Sequence, residues 1–446
     1  MHIDPWGSSQ YQDYSRLREQ FGIEAFGPKE WQVFDEPHRL LRRGVVFGHR
    51  DFARIQDAVK GRDPWAVMTG LMPSGQMHLG HKMVIEQVIG YQKAGADVHV
   101  AVADFEAFAA RGFTLEKARE IALDQYVHNY LALGLSEANG EVYFQTTRHR
   151  VKDLAHHFSL KVNWSQMQAL YGFGGDTAMA HAMAPLVQAA DILHVQQPEL
   201  GGPRPVVVPV GVDQDPHLRL TRDIAQAWRR YRIFQEDADK GGEWVLAVKG
   251  EPKQRWLDVA EAVLDDLGIA TRAGRKRLDK HGWIKLGSHL RGRDMRALDL
   301  GLARAEAKKG ELGLVRPSAT FHRFMTGLTG DKMSSSKPES SIFLTDEPKA
   351  AQKKLMASVT GGRATAQEQR EQGADPTKCP VYELYLYHLA DDDEHLQQVN
   401  DECRGGERLC GGCKKEAAGL LLEFLAEHKE KRDQVAHQVE AIVASD

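Results

Sequence analysis

Residues 65–102, WAVMTGLMPSGQMHLGHKMVIEQVIGYQKAGADVHVAV, decide the fold. The opening WAVM predicts a strand, and TGLMPSGQ predicts a turn. An apolar stripe at helical spacing follows over residues 84–89, with Gly95 as the stop. Valines then alternate over residues 98–102, as in a strand. Strand, glycine-containing turn, helix and strand open a doubly wound parallel sheet, whose ligands bind beyond the carboxyl ends of the strands.

Length and composition set the broad class. The chain has 446 residues, 42% of them hydrophobic, which is enough for two or three domains. A formal net charge of −4 does not mark a nucleic-acid binder, so contact with RNA would need a local basic surface. No secretory signal opens the chain, and the most apolar stretch, residues 178–195, is interrupted by polar side chains. We therefore expect a cytoplasmic protein with no membrane contact.

The segment HLGHK, at His78–Lys82, begins the helix after the first strand. Gly80 has no side chain, so a nucleotide can approach its backbone, and the helix N-terminus offers N–H groups to phosphate. His78 and His81 are spaced to donate hydrogen bonds to phosphate oxygens that gain charge when the α-phosphorus is attacked. Taken alone, the pair fits surface histidines at a helix start equally well.

A second segment, DKMSSSKPESS at Asp331–Ser341, is a loop dense in hydroxyl groups and lysines. Lys332, Ser334, Ser335 and Lys337 are suited to cradle the β- and γ-phosphates and to stabilise pyrophosphate as it leaves. A solvated Ser/Lys linker would have a similar composition. The loop predicts phosphate binding only when it is considered together with HLGH.

HLGH, followed by KMSSS about 250 residues later, resembles the HIGH and KMSKS signatures of class I aminoacyl-tRNA synthetases. HRLLRRGVVFGHRD (38–51), VGVDQDPHLRLTRD (210–223) and GGRATAQEQREQGADPTKCPVYELY (361–385) are similar to segments of archaeal and eukaryotic tryptophanyl-tRNA synthetases. The resemblance covers nearly the whole chain. HxGH, QAAD and GVDQ are shared with tyrosyl enzymes, whereas the longer segments favour tryptophan.

The resemblance implies an enzyme that activates L-tryptophan with ATP and Mg²⁺ to tryptophanyl-adenylate and pyrophosphate. Tryptophan then passes to the 3′ end of tRNA(Trp), and the family implies a homodimer. The implied catalytic residues are His78, His81, Lys332, Ser334 and Ser335. The implied ATP-binding residues are Thr69, Gly70, Gly80, Met333, Ser336 and Lys337. The implied tryptophan-binding residues are Glu106, Gln188, Asp213 and Gln214.

Indole offers one N–H donor on a flat apolar body, so a selective pocket needs one acceptor amid apolar surface. By similarity, Gln214 accepts that N–H and Gln188 holds the α-amino group. Each also fits a structural polar residue at a strand end. Two positions depart from the family: Met68 stands where many eukaryotic members have an indole-binding tyrosine, and Ser335 replaces the second lysine of KMSKS. The latter leaves open which lysine contacts which phosphate.

The four cysteines of the chain, Cys379, Cys403, Cys410 and Cys413, have the spacing C-x23-C-x6-C-x2-C. Four thiolates can hold zinc or a [4Fe–4S] cluster. Only one pair forms a tight knuckle, so the spacing fits zinc poorly, and some synthetases of this family carry a four-cysteine iron–sulfur site. We favour the cluster over zinc or free thiols. We expect it to be structural and remote from the activation chemistry.

We divide the chain into an N-terminal extension of short amphipathic helices and turns (1–60) and a Rossmann-like class I catalytic domain (61–226 and 317–345). An insertion (227–316) and an α-helical anticodon-binding domain with the cysteines (346–446) complete it. Basic residues over 271–309 suit either the tRNA backbone or a solvated face.

Three other functions remain open: a tyrosyl-tRNA synthetase, an HxGH nucleotidyltransferase and a non-enzymatic tRNA-binding paralogue. A nucleotidyltransferase would lack the large helical C-terminal domain. A paralogue would be expected to lose HxGH or the KMSSS lysine, and both are present.

Overall fold

A computed structural model of the chain describes residues 14–236, 242–270 and 274–444. The part of the N-terminal extension before Tyr14 lies outside these residues. The strands within them are β1 (Glu24–Ala25), β2 (Val46–Arg50), β3 (Ala66–Leu71), β4 (Asp97–Val102), β5 (Gly140–Phe144), β6 (Val206–Gly211), β7 (Tyr231–Gln235), β8 (Trp244–Val248), β9 (Lys276–Leu278), β10 (Trp283–Gly287) and β11 (Ser318–His322).

The main sheet has the strand order β1-β2-β11-β6-β3-β4-β5. Its five strands from β11 to β5 are parallel. The chain builds outward from β3 in one direction to β5 and then crosses to β6 and β11 on the other side. This reversal makes the carboxyl ends of β3 and β6 the switch point, where doubly wound sheets bind ligands. The predicted α/β fold with a doubly wound parallel sheet is confirmed.

Helices cover both faces of this sheet and form most of the C-terminal region. They are α1 (Tyr14–Phe21), α2 (Pro28–Trp31), α3 (Arg39–Arg42), α4 (Ala53–Gly61), α5 (Leu79–Lys93), α6 (Asp104–Arg111), α7 (Leu115–Ile121), α8 (His128–Ala132), α9 (His149–Ser159), α10 (Trp164–Tyr171), α11 (Met179–His194), α12 (Asp215–Ala227), α13 (Lys253–Asp266), α14 (Gly292–Lys308), α15 (Pro348–Ala357), α16 (Ala366–Gln372), α17 (Pro380–Leu384), α18 (Asp393–Gly405) and α19 (Cys410–Val435). No helix in the described ranges is both long and apolar enough to cross a membrane.

The predicted strand, helix and strand of the opening stretch are β3, α5 and β4. The apolar stripe of α5, including Ile85 and Val88, is buried in the core. The helix ends at Lys93, and Gly95 follows with φ +97°, a conformation that favours glycine and turns the chain into β4. The burial of this stripe holds the N-terminus of α5 at the end of β3.

The prediction of only short helices and turns before residue 60 was wrong in one respect. Strands β1 and β2 join the main sheet, and β2 pairs antiparallel with β11. Val46, Phe47 and His49 are all buried, because both faces of this strand are covered. A strand buried on both faces lacks the alternation that identifies a strand in a sequence.

The residues predicted as an insertion contain a second sheet, ordered β7-β8-β10-β9. Helices α13 and α14 pack on it around a separate apolar core that includes Leu246, Leu257, Ile284 and Leu298. In the C-terminal region, α19 packs against α8 and α15. Residues after α19 return to the catalytic sheet, where Val443 pairs with Val142 at the outer edge of β5.

Candidate active site

The two histidines of HLGH stack at the start of α5, with ring centroids 3.8 Å apart. The Nδ1 atom of His78 accepts a hydrogen bond from Gly80 N at 3.1 Å, and Nδ1 of His81 accepts one from His78 N at 3.3 Å. Because an accepting Nδ1 carries no proton, a neutral ring must carry its proton on Nε2. Both rings therefore keep an Nε2–H donor to offer to a ligand.

Burial keeps these rings uncharged at physiological pH. It holds the pKa of His78 well below its usual range, with help from neighbouring His81 and Lys332. Burial, followed by the charge of Lys332, lowers the pKa of His81 to about 4. The pair therefore consists of neutral hydrogen-bond donors.

Gly80 is required by the histidine stack itself. A Cβ atom there would lie 2.9 Å from Cε1 of His78 and 3.0 Å from its Nδ1. The absent side chain thus lets the His78 ring fold over the first turn of α5. The sequence analysis explained glycine at this position by the approach of a nucleotide to the backbone. The contact with His78 is a second and separate reason.

The segment directly after the KMSSS loop is joined to HLGH by backbone hydrogen bonds. Leu79 N donates to Ile342 O at 3.0 Å, and Leu344 N donates to Met77 O at 3.0 Å. On the other side of the loop, the hydroxyl of Ser335 donates to Gln76 O at 3.1 Å. Two segments far apart in the chain therefore form one surface at the carboxyl end of β3.

Lys332 points from this loop towards the carboxyl end of β6. Its Nζ lies 3.3 Å from Oδ2 of Asp213 and 3.9 Å from the centre of the Phe324 ring. Burial raises the pKa of Asp213, and the charge of Lys332 opposes that shift. Asp213, predicted among the tryptophan-binding residues, is in this structure the partner of the KMSSS lysine.

The remaining loop residues divide between interior and solvent. Met333 is buried, and its N–H donates to Met325 O at 3.0 Å. The hydroxyls of Ser334 and Ser336 are 3.0 Å apart at the exposed side. Lys337 is exposed and pairs with Asp331 at 2.7 Å, so the structure directs Lys332, and not Lys337, to the interior of the site.

The predicted tryptophan residues lie near the same edge of the sheet. Gln188, on α11, donates from Nε2 to Oε1 of Gln214 at 3.1 Å, so these two amides are in contact. Glu106 lies in the first turn of α6, directly after β4. On β3, Met68 and Thr69 are buried whereas Gly70 is exposed at the strand end.

Sequence reasoning missed a buried carboxyl group next to these amides. Asp191 accepts hydrogen bonds from Tyr143 Oη at 2.9 Å and from Gln145 Nε2 at 2.6 Å. Burial raises its pKa to about 7, and the charges of Asp104 and Glu106 add to the effect. The available signal was the QAAD motif, in which Asp191 lies one helical turn after Gln188.

A second missed residue is Tyr126, which contacts His81. Residues Ala122–Val127 form a π-helical turn between α7 and α8. The ring of Tyr126 lies edge-on to that of His81, with centroids 5.5 Å apart. Such turns are frequent at functional sites and cannot be identified from apolar spacing.

The four cysteines line one pocket of the C-terminal region. It encloses about 350 Å³ of empty space, including its mouth, and its wall contains Gly361 and Gly362. All four thiols are free, and burial raises the pKa of Cys403 to about 11 and that of Cys413 to about 12. No three His, Cys, Asp or Glu side chains of the described residues are grouped to hold a metal ion. The structure thus supports a shared pocket but not the predicted iron–sulfur cluster.

Several residues in the basic run of the insertion are paired with acidic groups. Arg275 lies 2.8 Å from Asp265, and Lys285 lies 2.8 Å from Glu236. Arg277 contacts several acidic side chains. Ion pairing reduces the positive potential that these residues offer to a phosphate backbone.

Comparisons with known proteins agree with this geometry. Residues 60–238 and 296–426 match the family of class I tRNA synthetases for tryptophan and tyrosine. The tryptophan–tRNA ligase of Archaeoglobus fulgidus is 45% identical over 435 residues, which are 98% of each chain. That of Methanosarcina acetivorans is 43% identical, over 97% of this chain and 96% of its own. The crystal structure of tryptophanyl-tRNA synthetase from Aeropyrum pernix K1 matches with a TM-score of 0.74 and 39% identity over 100% of both chains.

Proposed function

The chain belongs to the class I tRNA synthetases for tryptophan and tyrosine, as a tryptophan–tRNA ligase, and we propose how its site performs that reaction. The carboxylate of tryptophan attacks the α-phosphorus of ATP–Mg²⁺, and pyrophosphate leaves. A terminal ribose hydroxyl of tRNA(Trp) then attacks the carbonyl carbon of the adenylate, and AMP leaves. The observation that carries the proposal is the joining of HLGH and KMSSS at the carboxyl ends of β3 and β6.

The histidines of HLGH act on the α-phosphate. Their neutral Nε2–H groups donate to oxygens whose negative charge grows as the carboxylate attacks. Donors that are already oriented before the reaction stabilise such charge without reorganising. Thr69 and Gly70, at the end of β3, and Gly80 give the nucleotide its approach to the backbone of the site.

Lys332 acts on the leaving group. In the structure it pairs with Asp213. Phosphate oxygens compete with that carboxylate for the ammonium group, so Lys332 turns to pyrophosphate as charge accumulates there. Ser334, Ser335, Ser336 and the backbone of Met333 complete the cradle, and Lys337 adds charge from the solvent side.

Gln188 and Gln214 recognise tryptophan as a pair. An amide group exposes either its oxygen or its nitrogen after a half-turn, so the two side chains can keep their mutual hydrogen bond while each offers another group to the ligand. Gln214 accepts the indole N–H, Gln188 holds the amino acid backbone, and Glu106 faces the α-ammonium group. Met68 supplies apolar surface where many eukaryotic members of the family have a tyrosine.

ATP–pyrophosphate exchange with single amino acids tests the proposal. We expect exchange that depends on tryptophan and does not occur with tyrosine. Exchange with tyrosine alone would refute the assignment of the amino acid, and no exchange with either would refute an activating enzyme. Charging of tRNA(Trp) transcripts tests the second step.

We further propose that the cysteine pocket holds a [4Fe–4S] cluster, because its wall contains all four cysteines of the chain. Zinc requires four ligand atoms at about 2.3 Å from one point, and only one pair of the four cysteines has the close spacing that structural zinc sites use. A Cβ at Gly362 would lie 2.6 Å from Sγ of Cys410, so glycine keeps the wall clear for that thiol. Such a cluster would be held by Cys379, Cys403, Cys410 and Cys413.

Anaerobic purification tests this assignment. We expect brown protein with equal amounts of iron and sulfide, and Cys410→Ser should lose both together. If the protein contains one zinc ion per chain, the cluster assignment is wrong and the site is a zinc site. Colourless protein without metal would leave four free thiols.

We also propose a homodimer that works in the cytoplasm, where ATP and tRNA are supplied. Leu160 and Met179 are 74% and 71% exposed, and Trp164 is 41% exposed. The Arg150–Glu199 ion pair, at 2.9 Å, joins the start of α9 to the region after α11. Helices α9 and α11 pack against each other, and a second copy would cover the exposed apolar side chains at their ends. The mass in solution tests this.

A further inference from the structure

One short segment of the C-terminal region contacts the HLGH helix and also the residue that pairs with the KMSSS lysine. This segment, Cys379–Leu389, consists of α17 and the π-helical turn that follows, and we name it the connector. It begins at a cysteine of the pocket described above. The hydroxyl of Tyr385 donates to Cys413 O at 3.2 Å, which attaches the connector to α19.

The connector meets the KMSSS loop through Glu383. One carboxylate oxygen accepts from the backbone N–H of Thr326 at 2.7 Å, and the other accepts from the hydroxyl of Thr326 at 2.9 Å. Thr326 forms an antiparallel bridge with Lys332. A single carboxylate therefore holds the backbone residue that lies opposite the KMSSS lysine.

The connector meets the HLGH helix through His388. Its Nδ1 lies 3.2 Å from Nζ of Lys82, the residue directly after HLGH. Lys82 and Arg39 both pair with Glu86, at 2.8 and 2.6 Å. All these charged groups are largely buried, so the position of the connector is closely defined on this side also.

The geometry points to Glu383 as a positioning residue for the KMSSS loop: its two hydrogen bonds to Thr326 hold the loop so that Lys332 can move from Asp213 to the leaving phosphates. This inference rests on the proposed activation of tryptophan by ATP. A carboxylate that merely attached the C-terminal domain to the catalytic domain would affect both substrates alike. A positioning role affects the phosphate steps only.

The test compares Glu383→Ala with Glu383→Gln. The alanine variant removes both acceptors, and losing hydrogen bonds to a charged group corresponds to roughly a 10- to 100-fold fall in kcat/KM for ATP. The KM for tryptophan should remain within about twofold. Glutamine offers one oxygen to the Thr326 N–H and an amide donor to its hydroxyl oxygen, so most of the activity should return.

Thr326→Val and the double variant extend the test. Valine removes the hydroxyl but keeps the shape of the side chain. If Glu383 acts through Thr326, the double variant should be no slower than Glu383→Ala alone, because the bonded partner is already lost. If the fall in kcat/KM for ATP in the double variant equals the product of the falls in the two single variants, Glu383 acts elsewhere and the proposal is overturned.

A readout independent of catalysis is amide hydrogen exchange without ligands. Glu383→Ala should speed exchange over residues 325–337, where Met333 N donates to Met325 O. The matched control is Glu427→Ala, which breaks an ion pair to Lys431 in the same C-terminal region. That variant should leave the loop unchanged.

Two results would overturn the proposal: equal losses for ATP and tryptophan with a lower unfolding temperature, or unaltered loop exchange in Glu383→Ala. Absence of tryptophan-dependent exchange in the wild-type protein would instead refute the proposed function. In that case the hydrogen-exchange comparison would still decide whether Glu383 holds the loop.

Discussion

Replacing Asp191 with asparagine should make the protein more stable, and increasingly so as the pH rises. Burial raises the pKa of Asp191 from 3.8 to about 7 in the folded protein. The folded state therefore favours the neutral acid, which asparagine resembles. The contribution of Asp191 to wild-type stability is largest below its pKa in the unfolded chain, which is near 4. It is lost as the pH rises through its pKa in the folded protein, which is about 7. At 1.36 kcal/mol per pH unit, the full loss is about 4 kcal/mol.

The surroundings of Asp191 support this direction. The amide oxygen of Gln145 is buried and makes no hydrogen bond to any described residue. After a half-turn of that amide, a protonated Asp191 could donate to this oxygen. Asparagine can make the same hydrogen bond with its NH₂ group at every pH.

Urea unfolding of both proteins at several pH values measures the effect. The difference in the free energy of unfolding should widen by roughly 2 to 3 kcal/mol between about pH 5 and pH 8. The matched control is Asp51→Asn. Burial raises the pKa of Asp51, but Arg54 and Arg222 outweigh it and lower the value to about 2, so the effect of this variant should stay constant over the same range. Parallel curves for wild-type protein and Asp191→Asn would refute the reasoning.

Three further outcomes follow from the site. Lys332→Ala should slow pyrophosphate exchange by the equivalent of roughly 3 to 4 kcal/mol, while tryptophan binding without ATP stays nearly unchanged; near-normal exchange would transfer the role to Lys337. Gln214→Ala should weaken tryptophan binding by about 1 to 3 kcal/mol and spare ATP, and calorimetry would detect equal losses if the strand end collapses. Gly80→Ala should displace the His78 ring, because its Cβ would lie 2.9 Å from Cε1, and should lower kcat more than the affinity for tryptophan.

The part of the site that lies close together in the chain was predictable. His78, Gly80 and His81 lie within one helical turn, and their chemistry depends on the residue types and spacing alone. The partner of Lys332 was not predictable from the KMSSS loop. Asp213 is 119 residues away, and no local pattern specifies which carboxylate at the sheet edge a lysine will meet.

For the cysteine site, sequence separation was a poor guide to position in the fold. Its distance along the chain from HLGH and KMSSS led us to expect independence from activation. In the structure, Val359 N, next to the pocket wall, donates to Leu328 O at 2.9 Å, and the connector places Glu383 on Thr326. Sequence separation does not measure distance once helices fold back onto a sheet.

By itself, the sequence determined the elements whose cause is local. The β3–α5–β4 unit follows from apolar periodicity and from Gly95, and the identity of the family follows from motifs that keep their residue types in order. Tertiary structure alone decided that β2 joins the sheet, that Lys332 pairs with Asp213, and that burial raises the pKa of Asp191 to about 7. Each of these depends on burial and on pairing between distant segments, because solvation and charge act through space and not along the chain.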